Sequence, residues 1–85
     1  MNIDYSPEFV RRFKKLPSDL KLKALEKEKI FRKNNYDPSL RTHKLSGKLL
    51  GRLAFWIDYE NRIIFSKINS KLIRFLSVGG HDIYK

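Results

Sequence analysis

Between residues 51 and 78 the chain carries three strand-like runs, GRLAFWID, RIIFSKIN and KLIRFLSV, with only a turn's length between neighbours. A parallel connection needs a crossover of a dozen or more residues, so consecutive members of this set must lie antiparallel, as a meander. In the first run Leu53, Phe55 and Ile57 alternate with Arg52, Ala54, Trp56 and Asp58, the period-two pattern of a strand with two unlike faces. Tyr59-Glu60-Asn61 makes the first turn, and Asn69-Ser70 is a hairpin signal for the second. On the second sheet face fall Arg62, Ile64 and Ile68, then either Leu72 or Ile73 and Phe75. Apolar and cationic side chains sharing one face predict that something binds there.

The N-terminal part reads as helix. Residues 1–5 fit a short strand with Ile3 and Tyr5 on one side. In SPEF, Ser6 is placed to cap a helix, Pro7 to take its first position and Glu8 to face the positive end of its dipole. Phe9, Val10, Phe13 and Leu16 follow at helical spacing until Pro17 breaks the run. Ser18 is expected to cap a second helix reaching about Asn34, with Leu20, Ala24 and Phe31 in a stripe flanked by Leu22 and Leu25. NNYDPSLRTH is loop, and KLSGKLLG bends at Gly47 and Gly51 between short extended pieces. The order βααβββ predicts an α+β fold, a helical hairpin packed on one face of a small antiparallel sheet. Its 85 residues are expected to form a single domain.

Composition narrows the chemistry. There is no cysteine, which removes disulfides, thiolate nucleophiles and zinc ribbons. No stretch approaches the apolar length of a membrane span and MNIDYSPEFVRR is no signal peptide, so a cytoplasmic protein without membrane contact is expected. Only His43 and His81 are histidines and they are far apart, so no metal is expected, and no Gly-rich phosphate loop precedes a helix, so no nucleotide cofactor is expected. The formal net charge is +10, which draws phosphate backbones or an acidic protein.

A basic chain without cofactor can still act on a phosphodiester. RNA carries its own nucleophile, the 2′-hydroxyl beside the phosphate. Cleavage then needs a base for that hydroxyl, cations for the developing charge and an acid for the leaving oxygen. Histidine suits proton transfer and arginine suits phosphate oxygens. His81, Arg62, His43, Lys44 and Tyr84 are the candidates. Other uses stay open at this point: Arg62 as the partner of Asp58 or Glu60, Trp56 as core, interface or stacking residue, and Lys44, Lys48 and Arg52 as a solvated basic rim.

The stretch KLSGKLLGRLAFWIDYENRIIF, followed by LIRFLSVGGHDIYK, resembles the toxins of the RelE/ParE superfamily, in the manner of the RelE/StbE and YafQ-like branch. Lys44 with L-S-G, D-Y-E-x-R-I-I-F around Arg62 and the closing G-x-H-D-x-Y carry the resemblance, and YSPEFVRRFKKLP resembles the first helix of these toxins. It implies a ribosome-dependent mRNA endonuclease silenced by a cognate acidic antitoxin. It implies a catalytic role for His81, a phosphate contact for Arg62, a functional role for His43 and a nucleotide contact for Tyr84. Lys44, Lys48, Arg52 and Trp56 become expected RNA contacts. Three positions depart from the pattern: Trp56 replaces a further functional histidine of YafQ-like proteins, Glu60 only loosely replaces their acidic residue, and Ser77 stands where related toxins have Asp or Arg. ParE-like members of the superfamily poison gyrase without cutting RNA, and a non-toxic basic binding module is the remaining alternative.

Overall fold

The computed structural model describes residues 1–84. Its regular elements are β1 (Asn2–Tyr5), α1 (Pro7–Lys14), α2 (Ser18–Lys33), β2 (His43–Lys44), β3 (Leu53–Trp56), β4 (Arg62–Lys67) and β5 (Leu72–Gly79). They form an α+β fold with one five-stranded sheet in the order β1-β5-β4-β3-β2. From β2 to β5 each strand pairs antiparallel with the next. The sheet as a whole is mixed, because β1 lies parallel to β5 at its edge. The two-residue strand β2 spans the end of the expected loop NNYDPSLRTH and the start of KLSGKLLG. That loop also holds a 3-10 turn over Pro38–Leu40, and the bend of KLSGKLLG contains one over Gly47–Leu49.

Ser6 does what its position predicts. Its Oγ accepts from the Phe9 N–H at 3.1 Å and donates to the Leu76 carbonyl at 2.8 Å, so one hydroxyl both caps α1 and ties it to β5. Ser18 does not cap α2. Pro17 takes the cap position, in an extended conformation its ring permits, and Ser18 is the first helical residue. The α2 stripe is narrower than the sequence pattern: Ala24 and Phe31 are buried, whereas Leu22 and Leu25 are exposed. Phe31 is the hub of the core. Its ring stacks on Phe55 at 4.7 Å and meets Phe65 at 4.9 Å and Phe75 at 5.5 Å edge-on.

The register of β4 on β5 slips between Ile64 and Phe65: Ile64 faces Ser77 and Phe65 faces Phe75, leaving Leu76 as the extra residue of a β-bulge. Ile73, Phe75 and Val78 therefore all join the core beneath the helices. That decides the open choice on the second face against Ile73 and Phe75. Ile68 lies beyond β4 and is exposed. The apolar centre of the second face is already occupied, and by the chain itself. After Gly79 a 3-10 segment, His81–Tyr84, folds back and buries Ile83 against Ala54 and Ile64, with Leu45, Leu49, Leu76 and Tyr84 around them.

Candidate functional site

Beside this folded-back segment, on the same sheet face, lies an open cleft of about 740 Å³. Its floor follows from the register. Trp56 on β3 pairs with Arg62 on β4, and Arg62 with Gly79 on β5, so a bulky ring and a long cation stand next to a position without a side chain. The Arg62 guanidinium carbon sits 4.0 Å from the Trp56 ring centre, and that of Arg41 sits 4.6 Å from it. Each such cation–π contact is worth about 0.5–1 kcal/mol at an exposed site.

Arg62 is held by backbone. Its Nη1 donates to the carbonyls of Asp58 at 2.8 Å and Tyr59 at 2.9 Å. The alternative of a structural ion pair is not realised: among the described residues no carboxylate bridges to Arg62. The Asp58 carboxylate is engaged in building the turn instead, accepting from the N–H groups of Glu60 at 2.9 Å and Asn61 at 2.8 Å and from the Asn61 side chain at 3.0 Å. Burial pushes the Asp58 carboxyl up, but these bonds outweigh it and hold it below the usual carboxylate range. The outcome is a fixed guanidinium at the cleft that makes no ion pair among the described residues, although Glu60 also lines the cleft.

The opposite wall comes from the 3-10 segment. His81 and Tyr84 both line the cleft, with ring centres 6.2 Å apart. Three contacts fix this segment: Ile83 in its apolar seat, Asp82 receiving a bond from Arg12 Nη1 at 2.9 Å, and Gly79. Gly79 has φ +151, and a Cβ there would meet Ile83 Cγ2 at 3.0 Å. Gly79→Ala is therefore expected to cost about 1–3 kcal/mol, read as a lower urea midpoint, and to shift the His81 ring resonances in proton NMR. An unchanged midpoint and spectrum would refute the steric account. Burial pushes the Tyr84 phenol up while the positive charge of Arg62 opposes that, leaving a protonated hydroxyl that donates at neutral pH.

His43 reaches the cleft from β2, where it pairs with Ala54. Its Nδ1 lies 2.9 Å from the Arg41 carbonyl. A carbonyl only accepts, so Nδ1 carries the hydrogen, and in the neutral ring Nε2 is the free acceptor. Lys44, one residue on, pairs with Leu53, a core residue, and so belongs to the other face of the sheet. Lys48 in its exposed 3-10 turn also lies outside the cleft, and Arg52 lines a separate pocket beyond Ile83. Ser77 is 4 % exposed and lines that separate pocket together with Ile83, so it does not open into the cleft. The structure thus brings together His43, Trp56, Arg62, His81 and Tyr84, and leaves Lys44, Lys48 and Arg52 apart. Sequence reasoning missed Arg41, Tyr59 and Asn61, which also line the cleft. A tyrosine inside a turn one strand-end from a tryptophan was the available signal. Among the described residues no group of three or more His, Asp or Glu side chains could hold a metal ion.

No family model matches the sequence, and no curated protein matches it significantly. Solved structures do match over nearly the whole chain. A YoeB/ParE toxin from Agrobacterium tumefaciens superposes with a TM-score of 0.80 at 12% identity, covering 95% of this chain and 99% of that one. YafQ from E. coli gives 0.72 at 22% identity over 98% and 96% of the two chains. RelE of the archaeal RelE–RelB complex from Pyrococcus horikoshii gives 0.73 at 20% identity over 93% and 92%. The fold is that of the RelE-like toxins.

Proposed function

We propose that this protein is the toxin of a type II toxin–antitoxin module, acting in the cytoplasm as an endoribonuclease on ribosome-bound mRNA. The observation that carries the reading is the convergence of His43, Arg62, His81 and Tyr84 on one cleft of a strongly basic chain. The shared fold supports the toxin role.

In the reaction the 2′-oxygen of the RNA bonds to the adjacent phosphorus, and the bond from that phosphorus to the next 5′-oxygen breaks. One proton leaves the 2′-hydroxyl and one reaches the 5′-oxygen, so the products are a 2′,3′-cyclic phosphate and a 5′-hydroxyl with no co-reactant. His81 acts as acid or base, and Nε2 of His43 is the second proton-transfer group. Arg62, pre-oriented by the turn carbonyls, stabilises the extra negative charge on the phosphorane. The Tyr84 hydroxyl orients the nucleotide.

The partner is an acidic antitoxin. A RelE neighbour was solved with RelB, which supports such a complex. The apolar groove between the helices, lined by Tyr5, Val10, Phe13 and Leu25, suits an amphipathic segment with acidic flanks, since Lys14, Arg11 and Lys15 border it.

A translation extract tests the reading. Addition of the protein is expected to yield mRNA fragments with 5′-hydroxyl ends and no loss of gyrase supercoiling. Intact mRNA with supercoiling abolished would replace this reading with the gyrase-binding class.

A further inference from the structure

At the end of the cleft formed by β2 and the β3–β4 turn, three side chains stand together that the proton-transfer chemistry does not use: Arg41, Trp56 and Tyr59. Tyr59 is 81% exposed, and its ring meets Trp56 edge-on at 6.1 Å. A large aromatic ring held that far into solvent contributes little to a core, and its face is open to a ligand. Arg41 pairs with no carboxylate among the described residues, yet its guanidinium is placed over the indole that already holds Arg62. Two like charges gathered on one ring favour an anion between or beside them.

The backbone of Arg41 adds an independent observation. Its φ is +49, in the left-handed region, and it is the one non-glycine residue there among those described. Asn or Gly would adopt this conformation more readily. An arginine at this position trades local backbone preference for its side chain. That side chain ends on Trp56, and its own carbonyl fixes the His43 tautomer.

Resting on the RNA-cleaving reading above, we propose that Arg41, Trp56 and Tyr59 form a nucleobase subsite flanking the scissile phosphate: an unpaired base stacks on the exposed Tyr59 ring, which Trp56 supports edge-on, and Arg41 binds the adjoining phosphate. Stacking accepts any base, because every base has a π-face. The subsite thus grips a single strand next to the cut without reading its sequence, and it excludes duplex, whose bases are already stacked.

Trp56 is the only tryptophan of the chain, so its fluorescence reports on the cleft floor where it touches Arg41, Tyr59 and Arg62, and variants of Arg41 and Tyr59 separate the subsite from the rest. The probe is a hexanucleotide RNA with 2′-O-methyl riboses, which removes the nucleophile and prevents cleavage. Titration is expected to quench Trp56 saturably, and annealing the probe to its complement is expected to abolish the effect. Tyr59→Ala should weaken binding by about 10-fold, the worth of one stacked base, and Arg41→Asn should weaken binding and lower its salt dependence through the lost phosphate contact, while Tyr59→Phe binds as the native protein does. The melting temperature of Arg41→Asn should stay or rise, which a merely structural role for Arg41 would not give. An indole indifferent to the probe, or equal binding by Arg41→Asn and Tyr59→Ala, overturns the subsite. If the native protein nevertheless cuts mRNA in the extract, only the subsite falls; if it does not cut, the RNA reading falls with it.

Discussion

His81→Ala is expected to lower single-turnover cleavage of ribosome-bound mRNA by about 10²–10⁴-fold, the usual worth of a positioned acid or base. The side chain is free to do this work. It is exposed, lines the cleft and makes no hydrogen bond among the described residues, so its removal leaves no buried group stranded. The anchoring of the segment rests on Ile83 and Asp82, so the fold and antitoxin binding should persist, as circular dichroism and co-purification would show. Arg62→Ala should cost a comparable factor through lost charge stabilisation. The double variant should lose less than the product of the two, because both groups serve one step. Native rates from a folded His81→Ala protein would remove His81 from the mechanism.

Phe31→Ala should have the largest effect on stability, about 3–5 kcal/mol. The ring is 0% exposed and touches Phe55, Phe65 and Phe75, one aromatic from each of the three central strands. It is also the main contribution of α2 to the core, since Leu22 and Leu25 face out. A domain of this length has a thin margin, and total stabilities run to only about 5–15 kcal/mol. Urea unfolding followed by circular dichroism should show a midpoint lowered by at least about 1 M. A loss under about 1 kcal/mol would mean that the neighbouring rings collapse into the space, and the hub description would be wrong.

The element order was legible because each signal was local: Pro17 between two helical periods, and turns too short for crossovers after Trp56 and Lys67. What was not legible is long-range. Nothing in NIDY says that it will pair parallel with LIRFLSVG, and the bulge at Leu76 only becomes visible once β4 is laid beside β5. The site divides the same way. Arg62, His43 and Trp56 sit on or beside strands, and the resemblance named them by position. Lys44 was grouped with them by proximity in sequence, yet the alternation of a strand sends neighbours to opposite faces. Arg41 escaped notice because a loop residue's aim depends on one left-handed φ that no composition rule predicts. The apolar second face was read as a surface where something binds, whereas its apolar centre is filled by the chain's own segment around Ile83.

The contacts between the two ends set an order of events in time. Ser6 to Leu76, Arg12 to Asp82 and Arg74 to Asp4 each join residues 70 apart. Closing a loop of that size costs about 4 kcal/mol of chain entropy before any contact repays it. The β3–β4–β5 meander closes only short loops, and the helical hairpin forms from neighbours, so both can arise early and separately. The N-terminal strand and its helix are expected to dock late. Arg12 arrives with them and adds its bond to Asp82, completing the anchoring that Ile83 and Gly79 begin. A chain caught partway holds Arg62 and Trp56 in register and Ile83 in its seat but lacks the tie from Arg12 to Asp82, so the cleft wall formed by His81 and Tyr84 is expected to be the last part of the molecule to become rigid.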